Sequence, residues 1–292
     1  MGLLVVTLSL ASGAFGASDW RSDLERWREE RATELTAEDG WLSVAGLFWL
    51  EEGETSFGSG AGVGIPLRPP APELAGRLEL REGVVRARLE PGVDAGLEPG
   101  AGLSRVLRTD AEGEADRLHF GDQRLWVIDR GGRLGVRLVD DAAPARRHFR
   151  GLSWYPPSER WRIRARFVPH DEPRTLPVAD VTGGTIPYES PGIVVFEVEG
   201  HDVELHPVLS GPEGSQRLFF IFRDATSARE TYGAGRFMYA ALPEGDLVEL
   251  DFNRAYSPPC AFTEFATCPL PPRVNWLEVA VEAGEKDPAL HH

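Results

Sequence analysis

The feature that most constrains the fold is a strict alternation of charged and apolar residues near the middle of the chain. Residues 160–167 read Arg-Trp-Arg-Ile-Arg-Ala-Arg-Phe. Because successive side chains of a β-strand point to opposite faces, this order places the arginines on one face and the apolar side chains on the other. The pattern predicts a half-buried strand. Its arginines are expected to pair with acidic residues of neighbouring strands, although the same ladder would also suit an anionic ligand.

Short apolar runs separated by turn residues recur through most of the chain and predict further strands. Residues 125–128 and 134–139 flank an Arg-Gly-Gly turn and indicate a β-hairpin. Later runs occupy residues 193–198, 203–208, 218–222, 236–240, 247–252 and 277–281. No repeated unit of strand and long helix is present, which argues against a doubly wound parallel sheet. We therefore predict a mostly β protein, an antiparallel β-sandwich or barrel with an N-terminal amphipathic helix.

The N-terminal helix is predicted over residues 18–39. Its apolar residues near helical spacing are Trp20, Leu24, Trp27 and Leu35. Charged residues lie between them, Gly40 follows, and we interpret the tryptophans as packing residues. The rest of the chain is divided at seams around residues 91–102 and 140–160. We predict an N-terminal β subdomain over residues 40–140 and a C-terminal β subdomain, carrying the polar motifs, over residues 141–292.

The first residues resemble a secretory signal peptide. Residues 3–17 form an apolar stretch that ends in small residues, and cleavage is expected after Gly16 or Ala17. No Lys or Arg precedes this stretch, which departs from the usual charged start. It is shorter than the roughly 20 apolar residues that span a bilayer, and no later stretch is longer, so no transmembrane segment is predicted. We predict a signal peptide over residues 1–17 and export to the periplasm or medium, with a cytoplasmic location as the alternative.

The charge balance and the absence of common motifs exclude several classes of function. The chain has 31 basic and 46 acidic residues, a net charge of −15, and lacks the basic surface that nucleic acids require. Lys286 is the single lysine, so Schiff-base chemistry is nearly excluded. The sequence contains no dinucleotide-binding glycine motif, phosphate-binding loop, Gly-x-Ser-x-Gly elbow or His-Glu-x-x-His pair. No nucleic-acid partner, cofactor or metal is predicted.

The densest polar run, residues 222–237, directly follows a predicted apolar strand. Binding and catalytic groups often lie at such strand ends, on a rigid scaffold. The candidate catalytic residues are Asp224 and Glu230 as general bases and Tyr232 as a proton donor. Arg223 and Arg236 are candidate ligand-binding residues that would clamp an anion. The alternative is a charged connection in which Gly233 and Gly235 only allow a turn.

A second polar run, residues 251–272, is predicted to form a rigid loop. Its last 15 residues contain five prolines, which fix the backbone and remove hydrogen-bond donors. Long ordered loops of this kind are often functional. The candidate ligand-binding residues here are Asn253, Arg254 and Tyr256.

The same loop holds the only two cysteines of the chain, Cys260 and Cys268. A disulfide is one interpretation, suited to an exported protein. Reduced structural thiols are a second. A metal site would need further ligands that the spacing does not supply. A nucleophilic thiol, with a distant histidine such as His148, His170 or His206 as its partner, is a fourth.

Three stretches of this sequence resemble the prokaryotic domain of unknown function family 1684. They are Gly40 to Leu50 (GWLSVAGLFWL), Phe222-Arg223-Asp224 through Arg236-Phe237, and Asp251-Phe252-Asn253-Arg254 through Pro272. The resemblance extends from about residue 20 to Lys286 and includes the N-terminal helix and a closing segment at residues 279–286. Ser257, Glu264 and Ala228 stand where the family usually has Asn, Pro and Gly. The resemblance implies one contiguous family unit and carries no activity with it.

Two hypotheses of function follow from the polar runs. In the first, they meet at the rim of the β-domain and form a pocket for a small anionic ligand, with metal-independent hydrolysis or lysis as the reaction if the protein is an enzyme. In the second, the protein is a non-catalytic binding or scaffolding domain, and the same arginines and acids form buried salt bridges. Saturated ion pairs in a closed core would favour the second hypothesis.

Overall fold

The computed structural model describes residues 15–96 and 104–291, and within them the chain forms two α-helices and sixteen strands. The helices are α1 (Phe15–Thr36) and α2 (Pro144–Arg147). The strands of the first half are β1 (Val44–Trp49), β2 (Gly53–Gly58), β3 (Ile65–Pro66), β4 (Gly76–Arg81), β5 (Val84–Leu89), β6 (Ser104–Val106), β7 (Arg117–Phe120), β8 (Gln123–Arg130) and β9 (Arg133–Asp140). Those of the second half are β10 (Arg162–Ala179), β11 (Thr185–Val198), β12 (His201–Leu205), β13 (Val208–Ser210), β14 (Arg217–Phe222), β15 (Arg236–Ala240) and β16 (Leu247–Asp251).

Two sheets in the first half share one core. Their strand orders are β1-β9-β8-β7 and β3-β2-β4-β5-β6, with antiparallel pairing except between β2 and β3. Phe57 and Leu78 from one sheet and Leu125 and Val136 from the other are fully or almost fully buried in the same apolar cluster. Burying side chains of this size stabilises the fold by roughly 1.5–3 kcal/mol each.

The second half repeats this arrangement with a four-stranded sheet, β12-β11-β10-β16, and a three-stranded sheet, β13-β14-β15. Side chains of both sheets meet in one buried cluster. The alternating stretch begins β10, with Ala165 and Phe167 buried and Arg164 and Arg166 exposed. Arg162 forms an ion pair with Glu249 of β16, so at this position the arginine face is paired with a neighbouring strand.

The predicted fold class is confirmed. Strands account for 44% of the structure and helices for 16%, and the sheets are antiparallel apart from the β2–β3 pair. Among the described strands, β1–β9 pair only with one another, and β10–β16 do likewise.

Helix α1 lies against the second half of the chain. It buries Leu24 and Leu35, and Trp20 Nε1 donates a hydrogen bond to Asp251 Oδ2 at 3.0 Å. The chain leaves the helix tightly, because a Cβ atom at Gly40 would lie 2.4 Å from the carbonyl oxygens of residues 34 and 35. Of the predicted signal peptide, residues 1–14 lie outside the described residues, so export stays a prediction. No helix among the described residues has the length and apolarity that crossing a membrane requires.

Candidate functional site

Asp224 and Arg236 form a closed, buried ion pair. Their side chains are 0% and 1% exposed, and Arg236 Nη2 lies 2.5 Å from Asp224 Oδ2. The other carboxylate oxygen accepts hydrogen bonds from the backbone N–H and the hydroxyl of Thr226, at 2.8 and 2.5 Å. Arg236 also donates to the carbonyl oxygens of residues 281 and 283. Both partners are saturated, which fits the structural alternative and leaves neither group open as a general base or an anion clamp.

The other two candidate catalytic residues have different surroundings. Glu230 is half exposed and pairs with Lys286 at 3.5 Å. Tyr232 donates its hydroxyl hydrogen bond to the carbonyl oxygen of Cys260 at 2.9 Å. The hydrogen bonds and ion pairs of Asp224, Glu230 and Tyr232 therefore lead to three separate sets of partners.

The remaining candidates from the polar runs contact the framework around them. Asn253 is fully buried and exchanges two 2.9 Å hydrogen bonds with the backbone of Ser158. Arg254 lies 3.5 Å from Asp251. The Arg223 guanidinium stacks on the ring of Trp276, with its central carbon 4.9 Å from the ring centre. Arg254 and Arg223 each also line a cavity, and Tyr256 lines a third one, beside α1.

The two polar runs are neighbours in the fold. The N–H of Phe237 donates to the carbonyl oxygen of Tyr256 at 2.8 Å, and the reverse hydrogen bond measures 2.9 Å. This pairing fixes Tyr256 beside β15. The contact between the runs is an isolated antiparallel β-bridge, and a cavity lies next to it, towards α1.

A cavity of about 520 Å³ separates α1 from strands β14 and β15. Its volume falls within the range of small-molecule pockets. The aromatic side chains that line it are Trp27, Trp41, Phe219, Phe237, Tyr239 and Tyr256. The charged ones are Glu30, Arg31, Glu34, Asp39 and Arg217. Sequence reasoning missed this site, although the spacing of Trp27, Arg31 and Glu34 on one helical face could have indicated it.

Arg31 is held firmly at the wall of the cavity. Its Nε donates to Glu285 Oε2 at 2.6 Å, and its Nη2 donates to the carbonyl oxygen of Ser257 at 2.7 Å. The guanidinium carbon lies 4.3 Å from the ring centre of Tyr256. Burial raises the pKa of the Glu285 carboxyl, and the charge of Arg31 opposes that shift. Two of the three guanidinium nitrogens therefore donate hydrogen bonds to the protein, and among the described contacts Nη1 donates none.

The side chain of Arg217 has fewer hydrogen-bond and ion-pair partners than that of Arg31. Its side chain is exposed, its guanidinium carbon lies 4.3 Å from the ring centre of Tyr239, and no described carboxylate pairs with it. The ring of Tyr239 lies 6.5 Å from that of Tyr256 at an angle of 19°. Burial and the neighbouring Tyr239 raise the pKa of Tyr256, so its hydroxyl stays protonated. The inner wall of the cavity therefore combines stacked phenol rings with two arginines.

The acidic side chains of the cavity lie on the helix side. Glu30 and Glu34 are exposed, whereas Asp39 pairs with Arg117 and with Arg124, the latter at 3.1 Å. Burial disfavours the ionised form of Asp39, but these two arginines outweigh it and lower the pKa of the carboxyl.

Cys260 and Cys268 are free thiols in contact with each other. The backbone N–H of Cys260 donates to Cys268 Sγ at 3.2 Å. No disulfide joins them in this structure, and the interpretations of the pair made from the sequence stay predictions. Across the described part of the chain, no three His, Cys, Asp or Glu side chains converge as a metal site would require.

Comparisons with known proteins give one family and one similar structure to report. Residues 147–286 match the family "Protein of unknown function (DUF1684)". The matched region contains both polar runs but not the stretch Gly40 to Leu50. A solution NMR structure of the uncharacterized protein from gene locus rrnAC0354 of Haloarcula marismortui is 36% identical in sequence. The similarity covers 51% of this chain and 83% of that one, with a TM-score of 0.43.

No curated protein matches the chain. Both polar runs that carried the resemblance lie inside the matched residues. The resemblance to the DUF1684 family is therefore confirmed over residues 147–286.

Proposed function

We propose that this protein binds a small amphipathic organic anion, a carboxylate with a planar apolar body, in the cavity between α1 and strands β14 and β15. The observation that carries the proposal is the lining of this cavity. Six aromatic side chains surround about 520 Å³, and one of its arginines, Arg217, has no carboxylate partner among the described residues. Pockets of this size that combine aromatic walls with convergent polar groups are typical of small-molecule sites.

Arg217 supplies the charge for the ligand. A carboxylate can accept two parallel hydrogen bonds from a guanidinium, and such charge-assisted bonds are stronger than neutral ones. Because Arg217 pairs with no acid, the ligand displaces none when it binds. Nη1 of Arg31 is a second donor, on a guanidinium that Glu285 and Ser257 already hold in place.

The acids on α1 determine how the ligand lies. Glu30 and Glu34 would repel an anionic group on the helix side of the cavity, whereas Arg217 attracts it at the start of β14. We therefore expect the carboxylate at Arg217 and the apolar body against Tyr239 and Tyr256. A ligand with a single negative charge fits this arrangement better than one with several.

The candidate catalytic residues lie outside the binding site in this proposal. None of the candidate catalytic residues Asp224, Glu230 and Tyr232 lines the cavity, and Asp224 is saturated by its own partners. We accordingly favour binding over hydrolysis or lysis. The buried pair of Asp224 and Arg236 ties β14 and β15 to residues 281 and 283 and so keeps the sheet wall of the cavity in place.

The proposal is tested by titrating the protein with 3-phenylpropionate in a calorimeter, with 3-phenylpropanol as the uncharged analogue. We expect the carboxylate to bind and the alcohol to bind more weakly. Arg217→Gln should weaken carboxylate binding roughly 10- to 100-fold, since hydrogen bonds to charged groups contribute about 1.5–3 kcal/mol. Arg229→Gln removes an equal charge from an exposed arginine away from the cavity and is the matched control.

Two results would overturn the proposal. One is the absence of carboxylate binding by the folded wild-type protein at millimolar concentration. The other is equal affinity of Arg217→Gln and Arg229→Gln for the carboxylate, which would mean that long-range charge, and not Arg217, attracts the ligand.

A further inference from the structure

The two cysteines lie in a setting that differs from ordinary buried thiols. Cys260 is half-buried in the short 3-10 helix Pro259–Ala261, and Cys268 is 4% exposed. The N–H of Cys260 contacts Cys268 Sγ at 3.2 Å, and the hydroxyl of Tyr232 holds the carbonyl oxygen of Cys260 at 2.9 Å. The backbone of Cys268 is fixed as well, because its carbonyl oxygen accepts a hydrogen bond from Val181 at 3.0 Å. The fold therefore keeps both thiols together.

We propose that Cys260 and Cys268 form a reactive dithiol that oxidises reversibly to a disulfide. This site is separate from the ligand proposal and does not depend on it. Cys260 carries the thiolate of the pair, because the hydrogen bond from Cys268 lowers its pKa, whereas that hydrogen bond and burial raise the pKa of Cys268.

The groups that face the pair are consistent with a single thiolate. The hydrogen bond from Cys268 lowers the pKa of Cys260, against the effect of burial. Burial and the nearby cysteines raise the pKa of Tyr232, so its hydroxyl remains a neutral donor. Burial likewise raises the pKa of Tyr188, which therefore adds no charge. Arg137 and Arg130 are the cations on this side.

The oxidant in this reaction is a small-molecule disulfide, oxidised glutathione. The Cys260 thiolate attacks one glutathione sulfur, forms a mixed disulfide and expels one glutathione thiolate. Cys268 then loses its proton, attacks the Cys260 sulfur and expels the second glutathione. The two protein thiols lose two electrons and two protons, and the oxidant takes them up as two molecules of glutathione.

The test starts with the folded wild-type chain and oxidised glutathione. We expect its mass to fall by two hydrogens, both thiols to become unreactive towards iodoacetamide, and dithiothreitol to restore them. Cys268→Ser should instead retain a glutathione adduct on Cys260, because the resolving thiol is missing. Two thiols that stay reduced in the folded protein, under conditions where the urea-unfolded chain forms the disulfide, would overturn the proposal.

Discussion

The substitution Asp224→Asn separates a structural from a catalytic role for the most strongly polar motif of the chain. The side-chain shape is nearly unchanged, and the amide oxygen can still accept from the hydroxyl and the N–H of Thr226. The carboxylate charge opposite Arg236 is lost. Because the Arg236 side chain is 1% exposed, its guanidinium is then a buried cation without a counter-ion.

The expected cost is large because water cannot replace the missing partner. Removing one member of a buried ion pair destabilises a protein by about 3–5 kcal/mol, mainly through the charge that stays behind. The two carbonyl oxygens that accept from Arg236 offset part of this cost, since they solvate the guanidinium with partial charges. We therefore expect a loss of about 3 kcal/mol, at the lower end of that range.

Urea unfolding followed by tryptophan fluorescence and far-ultraviolet circular dichroism measures the loss. Asp202→Asn removes the same charge from an exposed position in β12 and should change the unfolding free energy by less than about 0.5 kcal/mol. If Asp224→Asn unfolds with the same midpoint as Asp202→Asn, the buried pair does not stabilise the fold. Asp224 would then again be a candidate general acid or base.

Side-chain periodicity made the sheets predictable. In residues 162–167, which begin β10, each residue indicates its own face, so strand and orientation follow from six consecutive residues, whereas Arg160 and Trp161 fall in a 3-10 helix. The hairpin β8–β9 was equally readable, because Gly131 and Gly132, with φ of 66° and 88°, supply the backbone conformation that a tight turn needs.

The long extension of β10 and β11 was not predicted, for a physical reason. Both strands contain prolines, which cannot donate a ladder hydrogen bond and which normally argue against a strand. The structure accommodates them with an irregular stretch, where the register between the strands shifts between Pro169 and Arg174. Beyond it, pairing resumes and continues to Ala179 opposite Thr185.

Whether the polar motif is an open site or a saturated ion pair depends on residues that are distant in sequence. Asp224 and Arg236 are separated by 11 residues, and composition alone cannot distinguish an open site from a saturated pair. The carbonyl oxygens that complete the shell of Arg236 come from residues 281 and 283, whose own side chains are apolar and do not indicate this role. Only the folded structure shows that the Asp224 carboxylate and the Arg236 guanidinium have all their hydrogen-bond partners within the protein.

The cavity escaped sequence reasoning in a similar way. Trp27 and Arg31 are ordinary members of an amphipathic helix until Tyr239 and Tyr256, more than 200 residues later, provide the opposite wall. A helix is expected to fill the surface on which it lies. Here it leaves about 520 Å³ unfilled, and only the packing of the two elements reveals that space.

Two stability predictions concern turns that brace the second half. Burial disfavours the ionised form of Asp180, but hydrogen bonds from the backbone N–H and the hydroxyl of Thr182 outweigh it and lower the pKa of the carboxyl. The contribution of Asp180 to the unfolding free energy is therefore full above about pH 4 and is lost as the pH falls through the lowered folded-state pKa. The difference in urea-unfolding free energy between the wild type and Asp180→Asn should therefore shrink from pH 6 to pH 3; an equal difference at both values would contradict this reasoning. Gly284 has φ of 80°, and a Cβ there would lie 2.4 Å from the carbonyl oxygen of Ala255, whereas Gly214, with φ of 84°, has open space around it. Gly214→Ala should cost only the backbone strain, about 1 kcal/mol, and Gly284→Ala at least about 2 kcal/mol more, because the clash adds to the strain. Gly284 precedes Glu285, the partner of Arg31, so Gly284→Ala should also weaken 3-phenylpropionate binding. Equal losses of stability for Gly284→Ala and Gly214→Ala would show that the backbone moves to relieve the clash and would contradict this prediction.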